Sequence, residues 1–97
     1  MPAYLIARVK VTDWERYRRY TERTPAAIAR YGGKFLVRGG KVLTLEGAAE
    51  DRRVVVIEFA SLTQAKTFFE SPEYQEAKHF RMGAAEGDFI AVEGIGV

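Results

Sequence analysis

The segment RRVVVIEFA, residues 52–60, restricts the fold of this chain more than any other part of the sequence. Residues 54–57 are four consecutive β-branched side chains, which favour an extended strand. Because the side chains of a strand alternate between its two faces, this strand is apolar on both. We therefore predict a central strand, and the fold has to cover it from both sides.

The first third of the sequence predicts a strand followed by a helix. Residues 3–11, AYLIARVKV, favour a strand, and Thr12-Asp13 offers an N-cap for the helix after it. Pro25 interrupts the helical pattern and predicts a kink or a restart at that point. The apolar face of this helix consists of Trp14, Tyr17, Thr21, Ile28 and Tyr31.

The stretch after this helix predicts a long second strand. Gly32-Gly33 ends the helix, because glycine adopts the left-handed conformation of a helix C-terminus without a steric penalty. Residues 34–46, KFLVRGGKVLTLE, then favour a strand. Gly39-Gly40 in its middle indicates a β-bulge or a bend.

The last third of the sequence predicts a broken helix and a final strand. Ser61 and Gln64 have the spacing of a capping box, which begins a helical segment. Ser71 and Pro72 restart the helix, since serine is a good N-cap and proline suits the first helical position. Residues 88–93, DFIAVE, form the last strand.

The predicted order of elements is β-α-β-β-α-β, the order of ferredoxin-like α+β folds. In such a fold a four-stranded antiparallel sheet carries both helical segments on one face. The other face would then expose the apolar side chains of the central strands, which soluble monomers rarely tolerate. We therefore predict a homodimer that packs sheet against sheet, with residues 1–97 as a single domain.

The composition narrows the classes of function. The 97 residues include no Cys and one His, which excludes disulfides, thiolate chemistry and Cys-based zinc sites, and we expect no metal and no cofactor. Fifteen Lys and Arg against 13 Asp and Glu give a net charge of +2, which is weak for nucleic-acid binding. The sequence has no long apolar run, and its first residues lack the features of a signal peptide. We expect a cytoplasmic protein that binds neither nucleic acid nor membrane.

A series of motifs carries a resemblance to one protein family. In order, they are GGKFLVRGG at 32–40, LEG at 45–47, RVVVIEF at 53–59, SPEY at 71–74 and then Arg81. Their order and spacing resemble the "domain of unknown function 1330" family of small bacterial proteins. The resemblance implies a dimeric α+β barrel, related to small monooxygenases and muconolactone isomerases, and it implies no particular reaction.

Arg38 is the first candidate for a ligand-binding residue. It precedes Gly39-Gly40 on an otherwise apolar strand, where its guanidinium could bind a carboxylate or a phosphate. The alternative is an ion pair with Glu58, which counting across the hairpin places beside Arg38. We predict a mixed arrangement, in which Glu58 orients Arg38 and the remaining guanidinium nitrogens face a pocket. Glu58 is therefore a second candidate.

The second helical region supplies the three remaining candidates, Tyr74, His79 and Arg81. Tyr74 and Arg81 lie seven residues apart and share one face of the helix. The alternative for Tyr74 is a core aromatic with a polar tip. His79 is the only histidine and has no acid–base partner at a suggestive spacing, so a structural or solvated role is its alternative. No residue is assigned a catalytic role.

Three functions remain open at this stage. The first is an enzyme or binding protein for a small acidic or aromatic organic molecule, with a pocket between sheet and helices. The second is RNA binding, which shares this order of elements, but the third strand has Val where stacking rings are needed. The third is a non-catalytic structural or interaction module that acts through homodimerisation.

Overall fold

A computed structural model describes residues 1–96 of the chain. The strands of this part are β1 (Ala3–Val11), β2 (Lys34–Arg38), β3 (Arg53–Phe59) and β4 (Ala85–Glu93). Its helices are α1 (Trp14–Arg30), α2 (Leu62–Glu70) and α3 (Pro72–Arg81). The predicted restart is confirmed, because the Ser71 hydroxyl caps α3 and Pro72 opens it. None of these helices is long and apolar enough to cross a membrane.

The strands form one antiparallel sheet in the order β2-β3-β1-β4, which confirms the ferredoxin-like α+β fold. All the helices pack on one face of the sheet, to which every second residue of each strand contributes. On this face Ala7 of β1 lies between Val55 of β3 and Phe89 of β4. The β1 residues that face the helices are buried from Ala3 to Val9, namely Ala3, Leu5, Ala7 and Val9, and Val11 at the end is partly buried.

The opposite face of the sheet, here called the outer face, carries no helix among residues 1–96. Ile90 and Val92 of β4 are 55% and 46% exposed there. The central strands β1 and β3 also place Ile6 and Val56 on this face, which confirms the prediction that they are apolar on both faces. The apolar residues of the outer face are Tyr4, Ile6, Val37, Val54, Val56, Ile90 and Val92.

The prediction of a long strand over residues 34–46 is wrong in its second half, because β2 ends at Arg38. The N–H of Gly39 still donates to the carbonyl of Val54 at 2.9 Å, and Gly39 then turns the chain away with a φ of 71°. That φ lies in the left-handed region, which glycine adopts at no steric cost. The predicted bend at Gly39-Gly40 is therefore confirmed at Gly39, and a register shift between Phe35 and Val37 is a second irregularity earlier in β2.

Residues 40–52 form a long loop in place of the predicted strand and turn. The loop is anchored by Arg52, whose Nε donates to Glu50 at 2.9 Å and whose Nη1 donates to Asp88 of β4 at 3.1 Å. Leu43 and Leu45 are 78% and 88% exposed in this loop. The segment lacks a partner strand, and its alternating apolar residues therefore remain in solvent.

Of the two alternatives predicted at Pro25, the restart is wrong, because α1 continues as one helix from Trp14 to Arg30, and the kink stays a prediction. Proline has no N–H to donate to the carbonyl four residues earlier, which is that of Thr21. The predicted apolar face is largely confirmed, since Tyr17 and Ile28 are buried. Trp14 departs from it and is 62% exposed at the start of the helix.

Candidate ligand-binding site

A narrow cavity of about 30 Å³, here called the inner cavity, lies between α1 and the sheet. Its volume is enough for roughly two water molecules, since one water needs about 10–15 Å³ by this measure. Its apolar lining comes from every strand, from α1 and from α2: Leu5, Ala7, Val9, Ile28, Phe35, Val55, Ile57, Phe68 and Phe89.

The polar side chains that line the inner cavity are hydroxyl and guanidinium groups only. They are Tyr17, Tyr20, Thr21, Thr24, Arg38, Arg53 and Tyr74. No carboxylate, imidazole or amide is among the lining residues. Guanidinium groups donate hydrogen bonds and accept none, and a protonated phenol is a good donor. The cavity therefore suits a ligand that is rich in acceptor oxygens.

An open hollow of about 360 Å³, here called the outer hollow, adjoins the inner cavity and is lined by Trp14, Tyr17, Arg18, Thr21, Arg38 and Arg53. Four of these residues also line the inner cavity, and together they are called the neck: Tyr17, Thr21, Arg38 and Arg53. The volume of the outer hollow lies in the range of small-molecule sites. The neck carries two positive charges at the junction of the two spaces.

Arg53 has an unsatisfied hydrogen-bond donor at the neck. Its Nε is fully buried and has no hydrogen-bond partner among residues 1–96. Its guanidinium carbon lies 5.8 Å from the centre of the Tyr17 ring. No carboxylate of the described residues lies within 4.0 Å of the Arg53 guanidinium, in contrast to Arg52 beside it. A buried donor without a partner costs about 1–3 kcal/mol, so this position favours an added acceptor.

Gly39 provides the surface against which the Arg53 guanidinium rests. A Cβ atom built on Gly39 would lie 2.6 Å from Nη1 and 2.8 Å from Cζ of Arg53. Real Cβ contacts are never this short, so any other residue at position 39 would displace the guanidinium. Gly40 has no atom within 4 Å of such a Cβ. A side chain at position 39 would therefore shift the guanidinium, and the positive φ of Gly39 also favours glycine there.

Arg38 lies at the other side of the neck and is held by α1. Its Nη2 donates to the carbonyl of Thr21 at 3.1 Å, and its guanidinium stacks 4.6 Å from the centre of the Phe35 ring. The predicted ion pair with Glu58 is wrong. The sheet register pairs Arg38 with Val55 on the helix-covered face, whereas Glu58 pairs with Lys34 on the outer face.

Two tyrosines of the inner cavity, Tyr17 and Tyr20, stay protonated at neutral pH. Burial raises the pKa of Tyr17, while the guanidinium groups of Arg53, Arg81 and Arg38 act in the opposite direction. Burial also raises the pKa of Tyr20 well above its usual value. The hydroxyls of Tyr20 and Tyr74 share one hydrogen bond of 2.8 Å, which uses only one of their two protons. The phenols therefore act as donors toward the cavity.

Of the other predicted site residues, the structure brings Tyr74 to the cavity and leaves His79 out. Tyr74 is 2% exposed and lines the inner cavity. Arg81 is 6% exposed and lies behind that wall, with its guanidinium 4.3 Å from the centre of the Phe89 ring. His79 is exposed on α3 and lines neither the inner cavity nor the outer hollow.

The sequence reasoning missed Arg53 as a site residue and assigned Tyr17 to the core. A usable signal was the alternation of β3, which places Arg53 on the same face as Val55 and Ile57. A charged residue on a core-facing position needs a partner, and the sequence offers none beside it. Within residues 1–96, no group of three or more acidic, His or Cys side chains could hold a metal ion.

Comparison with protein families gives a match over almost the entire chain. The family described as "Domain of unknown function (DUF1330)" matches residues 2–95. The chain belongs to this family. A comparison of the DUF1330 chain with functionally curated proteins finds no match.

Several solved structures are similar to this DUF1330 chain. A protein of unknown function from Rhodopseudomonas palustris has a TM-score of 0.76 at 23% identity, over 99% of this chain and 84% of that one. SnoaB, a cofactor-independent oxygenase from Streptomyces nogalater, has a TM-score of 0.69 at 13% identity, over 99% and 95%. A dimeric protein of unknown function and ferredoxin-like fold from Bacteroides fragilis has a TM-score of 0.65 at 16% identity, over 96% of both chains. At these identities the likeness carries the fold and no activity.

Proposed function

We propose that this DUF1330 protein is a homodimer that binds a small organic acid at the neck between the inner cavity and the outer hollow. The observation that carries the proposal is the pair of arginines there, Arg38 and Arg53, which have no carboxylate partner among residues 1–96. A guanidinium matches the geometry of a carboxylate and binds it with charge-assisted hydrogen bonds.

The size of the two spaces determines where the body of the ligand lies. The inner cavity holds little more than two waters, whereas the outer hollow has room for a ring. Trp14 borders the outer hollow, is 62% exposed, and meets Tyr17 edge to face with ring centres 5.7 Å apart. A planar apolar body would cover the Trp14 ring, and its acidic group would reach the neck.

The chemistry of the lining favours binding over proton-transfer catalysis. Neither the inner cavity nor the outer hollow contains an Asp, a Glu or a His. A general base near neutral pH is usually one of these residues. The raised pKa of Tyr17 keeps its hydroxyl protonated, so this side chain does not replace them as the base. SnoaB, which has a similar fold, is a cofactor-independent oxygenase, so an enzyme remains compatible with this architecture.

The outer face supports the homodimer. Apolar side chains from all strands meet there, and Val54 and Val56 lie in its middle strand. A second copy placed against this face by a two-fold axis would bury the same residues on both chains. The similar protein from Bacteroides fragilis is dimeric. In such a dimer the helix-covered side of each protomer, which contains the neck, lies outside the interface.

A fluorescence titration tests the binding proposal, because Trp14 is the single tryptophan of the chain. We expect benzoate to change the Trp14 emission saturably and to raise the melting temperature. Benzamide has the same shape without the charge and should bind at least about tenfold more weakly, since charge-assisted hydrogen bonds are about twice as strong as neutral ones. Equal effects of benzoate and benzamide, or no effect of either at millimolar concentration, would contradict the proposal.

The second candidate function is a module that acts through dimerisation alone. The small volume of the inner cavity and the apolar outer face are the observations that favour it. It predicts that no acid of a broad panel stabilises the protein, while the outer-face dimer still forms. The same titration therefore separates the two functions.

A further inference from the structure

The neck presents several hydrogen-bond donors to the same small space and no negative charge. Arg53 has a buried Nε without a partner, and the guanidinium of Arg38 borders the same junction. Tyr17 is 2% exposed and lines both the inner cavity and the outer hollow. Arg81, 6% exposed and also without a partner at Nε, adds a further buried positive charge nearby. Such a site stabilises a negatively charged oxygen and does nothing comparable for a neutral one.

We propose that the neck is an oxyanion site that binds a phenol or an enol in its ionised form. This inference rests on the proposed function and extends it from acids that are already ionised to hydroxyl groups that the site itself ionises. The phenolate or enolate oxygen accepts hydrogen bonds from Arg53 Nε–H and from the Tyr17 hydroxyl. The proton released on binding goes to solvent, because no side chain of the lining is a suitable base.

Gly39 is the positioning residue of this site. The Arg53 guanidinium occupies the space that a side chain at position 39 would need. The Gly39→Ala variant pushes Nη1 and Cζ away from that position and shifts the donor that the oxyanion requires. Ionisation of the bound phenol therefore depends on Gly39, although Gly39 has no polar side chain of its own.

4-Nitrophenol is the probe, because its phenolate has a visible absorption band that its neutral form lacks. We expect the band of the bound probe to appear at lower pH than that of the free probe. The phenolate should then bind at least about tenfold more tightly than the phenol, which is the effect that one nearby opposite charge has on the ionisation of a titratable group. 4-Nitroanisole has a similar ring and cannot ionise. Its effect on Trp14 fluorescence therefore measures binding of the ring in the outer hollow without an oxyanion at the neck.

Matched variants assign the effect to the neck. Arg53→Met should abolish the preference for phenolate, and Arg19→Met, which removes an exposed α1 arginine outside both spaces, should retain it. Gly39→Ala should weaken the preference. Gly47→Ala is its control, because Gly47 has the same sign of φ, 88° against 71°, with no atom near a Cβ. The Gly39 and Gly47 variants keep the test decisive even if Arg53→Met fails to fold.

The outcomes separate this inference from the proposed function. The oxyanion site is supported if the preference for phenolate is lost in Arg53→Met, weakened in Gly39→Ala and unchanged in Gly47→Ala. Binding of 4-nitroanisole and benzoate without any shift in probe ionisation overturns the oxyanion site and leaves the proposed function standing. A preference that is unchanged in Arg53→Met also overturns it. The absence of binding by all three probes overturns both proposals.

Discussion

Arg38 Nη2 donates a hydrogen bond of 3.1 Å to the carbonyl of Thr21, the α1 carbonyl that Pro25 leaves without its usual backbone N–H donor. The Thr24 hydroxyl donates to the same carbonyl at 3.4 Å, so a strand residue and a helix side chain together replace the missing N–H. The same contact fixes Arg38 at the neck. The orientation of a candidate ligand-binding residue is therefore linked to a proline one turn further along α1.

This link predicts coupling between Pro25 and Arg38. Arg38→Met should cost about 0.5–1.5 kcal/mol, the usual value of one hydrogen bond. In the Pro25→Ala background the N–H of residue 25 can donate to Thr21, so the same Arg38→Met change should cost close to nothing. Urea unfolding of the four proteins of this cycle measures the coupling. An equal cost in both backgrounds would show that the contribution of Arg38 does not depend on Pro25.

The pH dependence of stability should involve Glu73, which connects α3 to the end of α1. The Tyr31 hydroxyl donates to one Glu73 oxygen at 2.8 Å, and Arg30 forms a salt bridge with the other, with Nε 2.8 Å from the oxygen. The Tyr31 hydrogen bond, with the backbone N–H at the start of α3 and Arg30, lowers the pKa of Glu73 in the folded protein.

A lowered folded-state pKa contributes stability above the unfolded-state pKa of glutamate, and this contribution is lost as the pH falls through the folded-state value. Glu73→Gln should therefore reduce the loss of melting temperature between about pH 6 and about pH 3. Tyr31→Phe should act in the same direction, because it removes the largest cause of the shift. An unchanged pH profile in both variants would contradict this role of Glu73.

The outer face predicts the effect of a charge at its centre. Val54 lies on this face, opposite Arg8 of β1, and Val54→Asp would place a carboxylate in the proposed dimer interface. We expect this variant to elute as a monomer or an aggregate in sizing chromatography. Thr63→Asp adds the same charge to an exposed position on α2 and should leave the dimer intact. A monomeric unmodified protein at micromolar concentration would contradict the interface.

The buried position of Arg81 predicts that the folded protein tolerates removal of its charge. It is 6% exposed, stacks on Phe89 and has no carboxylate partner within residues 1–96. Since a buried charge without a counter-ion is costly, Arg81→Met should change the free energy of unfolding by less than about 1 kcal/mol or increase it. Chemical unfolding checks this value. A loss above about 3 kcal/mol would indicate a compensating partner that the described residues do not contain.

Most of the fold could be predicted from the sequence, because short-range patterns of side chains determine where its strands and helices begin and end. The apolar character of residues 54–57, the Ser71-Pro72 break and the Gly32-Gly33 helix end follow from side-chain alternation, capping and backbone freedom. The restart predicted at Pro25 was wrong, since proline removes one hydrogen bond but a long helix can tolerate that loss when other donors are present. One donor, the Thr24 hydroxyl, lies in the same helix, and the other, Arg38, comes from a strand and is not visible to local rules.

The site was harder to predict because it depends on register. Counting across the hairpin assumed that residues 34–46 and 52–60 form two paired strands joined by a turn, and this placed Arg38 beside Glu58. The loop leaves the sheet at Gly39, so the true neighbour is Val55 and Glu58 faces the other side. Arg53 was readable in part from alternation, but its contact with Gly39 required the three-dimensional structure.

The Nε–H group of Arg53 gives the most direct test of a ligand at the neck, and it is observable by NMR. Its resonance can be assigned by its loss in Arg53→Met, and the buried Nε–H of Arg81 serves as an internal reference. On titration with benzoate, we predict that the Arg53 Nε–H resonance moves downfield and saturates, as a donor that gains a carboxylate acceptor should. The Arg81 resonance should move little. An Arg53 resonance that stays in place while benzoate binds elsewhere, or that moves no more than Arg81, would contradict the account.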